Sequence, residues 1–141
     1  MTAADTAADT PIIPVSWGEL IDKITILEIK AERLADAAAL ANVRRELERL
    51  RAVAAPVLAD AAMESRIAKL RALNTALWDV EDRIRLKDAA GAFDAEFVAL
   101  ARSVYRTNDD RAATKREINV ALRSALVEEK SYVGQAPDLH G

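Results

Sequence analysis

The chain of 141 residues contains no cysteine, which excludes disulfides, thiol catalysis and cysteine-ligated zinc. Its one histidine, His140, stands next to the C-terminal residue, so histidine-based acid–base chemistry and histidine-rich metal sites have almost nothing to use. Glycine and proline number four each and aromatic residues make up 4%, too few for the frequent turns of a sandwich or barrel. No apolar run approaches the ~18 residues of a membrane span. A basic character is missing as well. The formal net charge is −3 and the isoelectric point about 5.3, whereas duplex-binding domains are usually basic. Residues 102–123 carry six Lys or Arg against three acids, so nucleic acid stays a disfavoured partner.

What the chain has is alanine, thirty residues or about 21%, which favours helices and lets them approach closely. The length suits one domain with a real core. Composition therefore predicts an all-α protein, an antiparallel helical bundle of four to five helices. Residues 1–14 read as a disordered tail, 15–133 as the bundle domain and 134–141 as a flexible tail. Met1 to Thr10 lacks the positive start and unbroken apolar stretch of a secretory signal, so a cytoplasmic location is expected.

Local signals place the helices. Ser16 is the N-cap of the first, Glu19 completes a capping box, and Val15 is placed to staple onto Leu20. Trp17, Leu20, Ile21, Ile24, Leu27, Ala31 and Leu34 mark one apolar face. Ile26 and Ile29 lie off it, which predicts a helix contacted from two sides. A soft break is expected near Ala37–Asn42, then a more polar helix with Val43, Leu47, Leu50 and Val53, ended by Pro56. Residues 57–89 lack Gly and Pro, and Met63, Ile67, Leu70, Leu73, Leu77, Val80 and Ile84 trace a seam. Unbroken, that helix would be roughly 50 Å long, long enough to bend or to protrude into a partner, and a homodimer is expected on this ground. Gly91 ends it and Asp94 caps the next. Thr107, Asn108, Asp109 and Asp110 read as a further cap, with acids where the helix dipole favours them. A last helix carries Ile118, Leu122, Ala125 and Leu126.

No phosphate-binding loop, dinucleotide turn, zinc-protease helix or nucleophile elbow occurs, so candidate chemistry rests on placement. Measured from Leu77, Glu81 falls at roughly 40°, Asn74 at 60°, Arg85 at 80° and Trp78 at 100° around the helix. Measured from Ile118, Arg111 falls at roughly 20°, Lys115 at 60°, Asn108 at 80° and Asn119 at 100°. Glu28 holds a similar shoulder about 40° from Ile24. A bundle that joins these faces would enclose Glu28, Asn74, Trp78, Glu81, Arg85, Asn108, Arg111, Lys115 and Asn119. Charges buried without partners cost several kcal/mol, so the group must pair internally or bind something. An internal ion-pair network is the favoured reading. The sharper one is a cavity for a small anion, with Arg85, Arg111 and Lys115 as clamps and Asn74 or Asn119 orienting it; a protein-partner interface is the third. No metal and no cofactor are expected, because the Glu-x-x-His pairs of di-metal bundles are missing.

Five ordered blocks carry a family resemblance: Val15-Ser-Trp-Gly-Glu-Leu-Ile-Asp-Lys-Ile-Thr-Ile-Leu-Glu-Ile-Lys30, Leu77-Trp-Asp-Val-Glu-Asp-Arg-Ile-Arg-Leu-Lys87, Leu100-Ala-Arg-Ser-Val-Tyr-Arg-Thr-Asn-Asp110, Lys115-Arg-Glu-Ile-Asn119 and Val127-Glu-Glu-Lys-Ser-Tyr132. Over residues 15–132 the chain resembles a bacterial family of small proteins known as a domain of unknown function. The resemblance implies no activity. It implies a setting, because members of that family lie near glycosyltransferase and surface-polysaccharide genes, and so a non-catalytic binding or adaptor role in glycan synthesis is expected. Leu20-Ile-Asp-Lys-Ile with Ala31-Glu-Arg-Leu34 is also similar to the first helix of all-helical chorismate mutases. That second resemblance implies a cofactor-independent enzyme or sensor for a small anionic metabolite, although the later Lys and Gln motifs of those enzymes have no counterpart here.

Overall fold

Four α-helices and one 3₁₀ turn follow one another in the computed structural model, which describes residues 10–123. Ala125, Leu126, residues 127–132 and the tails 1–9 and 134–141 lie outside the described residues. No strand occurs among the described residues, and the architecture is the expected all-α bundle.

Helix α1 spans Trp17–Arg33 and starts at the expected cap, where Ser16 Oγ accepts the Glu19 amide at 3.2 Å. It has two buried stripes. Leu20, Ile21, Ile24 and Leu27 form the apolar one. Gly18, Asp22, Thr25 and Ile29 form a second, at spacings that return to one side of a helix. Packing explains both, since α1 contacts each of the other three helices.

The break after α1 falls earlier than the sequence suggests. Leu34 and Asp36 are extended, and Asp36 caps α2 (Ala37–Leu58) by accepting the Ala39 amide at 2.8 Å. The alanines inside the expected break at 37–42 are strong helix formers and begin the new helix instead. Pro56 does not stop α2, which runs two residues further. A proline removes the hydrogen bond to the carbonyl four residues behind it and leaves the residues ahead free to stay helical.

The expected 57–89 helix is interrupted. Asp60 accepts the Ala62 amide and caps a 3₁₀ turn, Ala61–Met63, which drops Met63 into the core. Helix α3 then covers Glu64–Ala89, about 39 Å at 1.5 Å per residue. It closes with paired bonds from Gly91 N to Asp88 O and from Ala92 N to Lys87 O. This cap needs a left-handed residue, and Gly91 supplies it at φ +65°. Asp94 caps α4 (Ala95–Ala121) by accepting the Phe97 amide. Helix α4 passes straight through residues 107–110. The further cap expected there does not form, because Asn108 Oδ1 accepts from the Arg111 guanidinium and not from a backbone amide.

The main core joins Leu20, Ile21, Ile24 and Leu27 to Val43, Leu47, Ala54, Val57, Met63, Leu70 and Ile118, with Trp17 packed against it. Helices α3 and α4 form a long antiparallel hairpin, α1 lies across its base, and α2 packs chiefly on α1.

Candidate functional site

The second stripe of α1 faces the hairpin with a carboxylate in it. Asp22 is 2% exposed. Arg111 grips it with one edge of its guanidinium, Nε to Oδ1 at 2.9 Å and Nη2 to Oδ2 at 2.7 Å. Asn74 from α3 donates through Nδ2 to Asp22 Oδ1 and to Thr25 Oγ1, each at 2.9 Å. Asn108 steadies the guanidinium, accepting from Nη1 at 3.0 Å. Lys115, itself 5% exposed, pairs with Glu19 at 2.8 Å and lies 3.9 Å from Asp22. Burial pushes the Asp22 carboxyl upward, but the hydrogen bonds from Arg111 and Asn74, with the charges of Arg111 and Lys115, outweigh it. The net direction is below the ordinary value of 3.8.

One turn along α4, Asn119 accepts the Gly18 amide through Oδ1 at 2.7 Å. The side-chain Nδ2 of Asn119 is buried and has no partner among the described residues. The helices are in backbone contact here: a Cβ on Gly18 would overlap the Lys115 carbonyl oxygen. That closeness explains how short side chains on α1 meet the long ones on α4.

The sequence-based constellation is thus divided. Asn74, Asn108, Arg111, Lys115 and Asn119 come together. Glu28 does not join them: it is held by Arg51 from α2 at 2.9 Å and Arg71 from α3 at 2.7 Å, on a different side of α1. Trp78 is half-buried beneath the Arg33 guanidinium, 5.9 Å from its ring centre, and Arg33 also pairs with Asp79. Glu81 and Arg85 are exposed. They share the shoulder of Asn74 around α3, but α1 ends at the level of Trp78 and encloses nothing beyond it. Asp22, Thr25 and Glu19 are the partners that the spacing argument missed. Measured from Ile24, Asp22 falls at roughly 160°, opposite the apolar face. The signal that would have found it is Gly18, Asp22, Thr25 and Ile29 read together as a second face.

What the arrangement does chemically is neutralise itself. A bidentate arginine–carboxylate pair fixes both position and orientation, and here it spans two helices while an amide from a third completes the acceptor's shell. Among the described residues, no three His, Asp or Glu side chains gather as a metal site would require. No helix is long and apolar enough to cross a membrane. A groove of about 550 Å³ lies elsewhere, between α1 and α2, lined by Glu28, Glu32, Arg44, Leu47, Glu48 and Arg51.

No curated protein and no solved structure matches the chain. A family model matches residues 12–137, a span that takes in all four helices. By that match the chain belongs to a family of unknown function (DUF6165).

Proposed function

We propose that the chain is a non-catalytic binding or adaptor protein, dimeric and cytoplasmic, whose interior charges hold the fold and whose surface does the work. The observation that carries this reading is the bidentate Arg111–Asp22 pair. The guanidinium best placed to clamp an anionic ligand already carries a carboxylate of the same chain, and Lys115 likewise carries Glu19. The setting, bacterial surface-glycan synthesis, rests on the sequence blocks that resemble the family.

One observation favours a second reading, a sensor or cofactor-independent enzyme for a small anion. A buried donor without an acceptor asks for an explanation, and an ordered water or an ion is a common one. Asn119 Nδ2 is such a donor, on α4 one turn from Lys115. A thermal-shift panel of nucleotide sugars, sugar phosphates, nucleotides and chorismate separates the two. A ligand at 100 times its dissociation constant adds about 2.7 kcal/mol, a readily visible shift. The adaptor reading expects no selective shift. A selective shift that disappears in Asn119→Ala would replace it with the second reading.

A further inference from the structure

Helix α2 packs chiefly on α1 and leaves its outer side open. It carries four arginines, two glutamates and no lysine, an excess of positive charge in a chain whose net charge is −3. Its glutamates do not answer its arginines. Glu46 holds Lys23 of α1 at 2.7 Å, and Glu48 lines the groove between α1 and α2 without an ion pair among the described residues. Arg51 is bound to Glu28, whose carboxylate Arg71 also grips. Arg44, Arg45 and Arg49 are exposed and make no ion pair among the described residues.

Arg45 and Arg49 share the side of α2 that faces away from the core. Measured from the buried Leu47, each falls at roughly 160°, one on either side of the line opposite the core. They stand about 6 Å apart along the axis, and like charges at this spacing weaken a helix. Ala38 and Ala41 before them and Ala52 after them are exposed as well as small. A second chain can therefore lie close against this stripe, within reach of both guanidiniums.

We infer that the stripe docks an acidic segment of a partner protein, lying extended along α2 with alternate carboxylates on Arg45 and Arg49. Spacing supports an extended segment, since alternate side chains of such a chain recur on one side about every 6.7 Å, close to the separation of the two arginines. Residue type supports a carboxylate, because a guanidinium offers it two parallel N–H groups. Extent favours a peptide over nucleic acid. Two arginines with Glu48 on their flank, in a chain of net charge −3, form a short patch and not the basic face that a phosphate backbone takes.

This inference rests on the adaptor reading and names the chemistry of one partner. That reading fails on a selective ligand shift lost in Asn119→Ala, and the inference fails on peptide binding, so the two failures are distinguishable. The test is the fluorescence anisotropy of labelled hexaglutamate titrated with the full chain. Saturable binding that weakens as salt is added is expected. The double variant Arg45→Glu/Arg49→Glu is expected to raise the dissociation constant about tenfold or more. Arg45→Gln/Arg49→Gln, which adds no repulsion, is expected to raise it less, and both variants are expected to keep the helical circular-dichroism spectrum. Arg102→Glu/Arg106→Glu makes the same charge change on exposed arginines of α4 and is expected to leave the peptide's affinity within about twofold of wild type. Absence of saturable binding, or an equal loss in the α4 variant, would overturn the inference. Tighter binding of single-stranded DNA or of phosphatidylserine vesicles would overturn it by giving the stripe to nucleic acid or to a membrane. A wild-type dimer that Arg45→Glu/Arg49→Glu splits would overturn it in favour of a second copy.

Discussion

Asp22 is the residue on which the interior turns, and its chemistry fixes two expectations at the residue scale. Burial disfavours its carboxylate, but Arg111, Asn74 and Lys115 favour it more, and its folded pKa lies below the ordinary 3.8. A depressed carboxyl contributes stability that is present above the unfolded pKa and is lost as pH falls through the folded one. Urea unfolding followed downward from neutral pH is therefore expected to show the wild type losing stability in the range below 3.8, with a visibly shallower loss in Asp22→Asn. Gly18 is the second. Its helical backbone suits any residue, but the Lys115 carbonyl occupies the place of a Cβ. Gly18→Ala must push α1 off α4, and overpacking of this kind costs about 1–3 kcal/mol; a lowered urea midpoint with unchanged slope is the expected readout. These residues also mark what spacing reveals. Asn74, Arg111, Lys115 and Asn119 were legible because each shares an arc with core hydrophobics. Asp22 was not, because its stripe is built from a glycine, an aspartate, a threonine and a single apolar residue, Ile29, too little for a hydrophobic periodicity to register.

At the scale of elements, side-chain caps were the readable signals. Ser16 and Asp94 start helices where the sequence places them. Asp36 does the same for α2, yet among neighbouring alanines its role was obscured by a break expected a few residues later. Asp36→Ala is expected to cost about 1 kcal/mol, with amide exchange rising first in the opening turn of α2. Residues 107–110 carry a cap's composition without forming a cap. Asn108 bonds Arg111 and Thr114 Oγ1 bonds the Asp110 carbonyl, all within one continuous helix. A proline discriminates between the alternatives. At the first turn of a new helix Asp109→Pro would be tolerated, whereas inside α4 it is expected to cost about 3 kcal/mol or more, seen as a large drop in melting temperature.

At the scale of the whole molecule, fold class and family membership were legible because composition, helical spacing and ordered sequence blocks all point the same way. The exposure of Glu81 and Arg85 was not, since it depends on where α1 stops, and that is set by the extended Leu34 and Asp36 and by tertiary packing. The resulting molecule has two ends of different character: a base where three helices share a buried ionic cluster, and an arm of two helices with unfinished apolar cover. The claim that joins them is that the cluster is structural and that function belongs to the surface. Its most direct test is the free energy of urea unfolding of Arg111→Ala. Removing the guanidinium strands the Asp22 carboxylate in the interior, and the account predicts a loss of about 3 kcal/mol or more. Stability equal to or above that of the wild type would contradict it, because a cluster that tolerates losing its central cation is a site held open for a ligand.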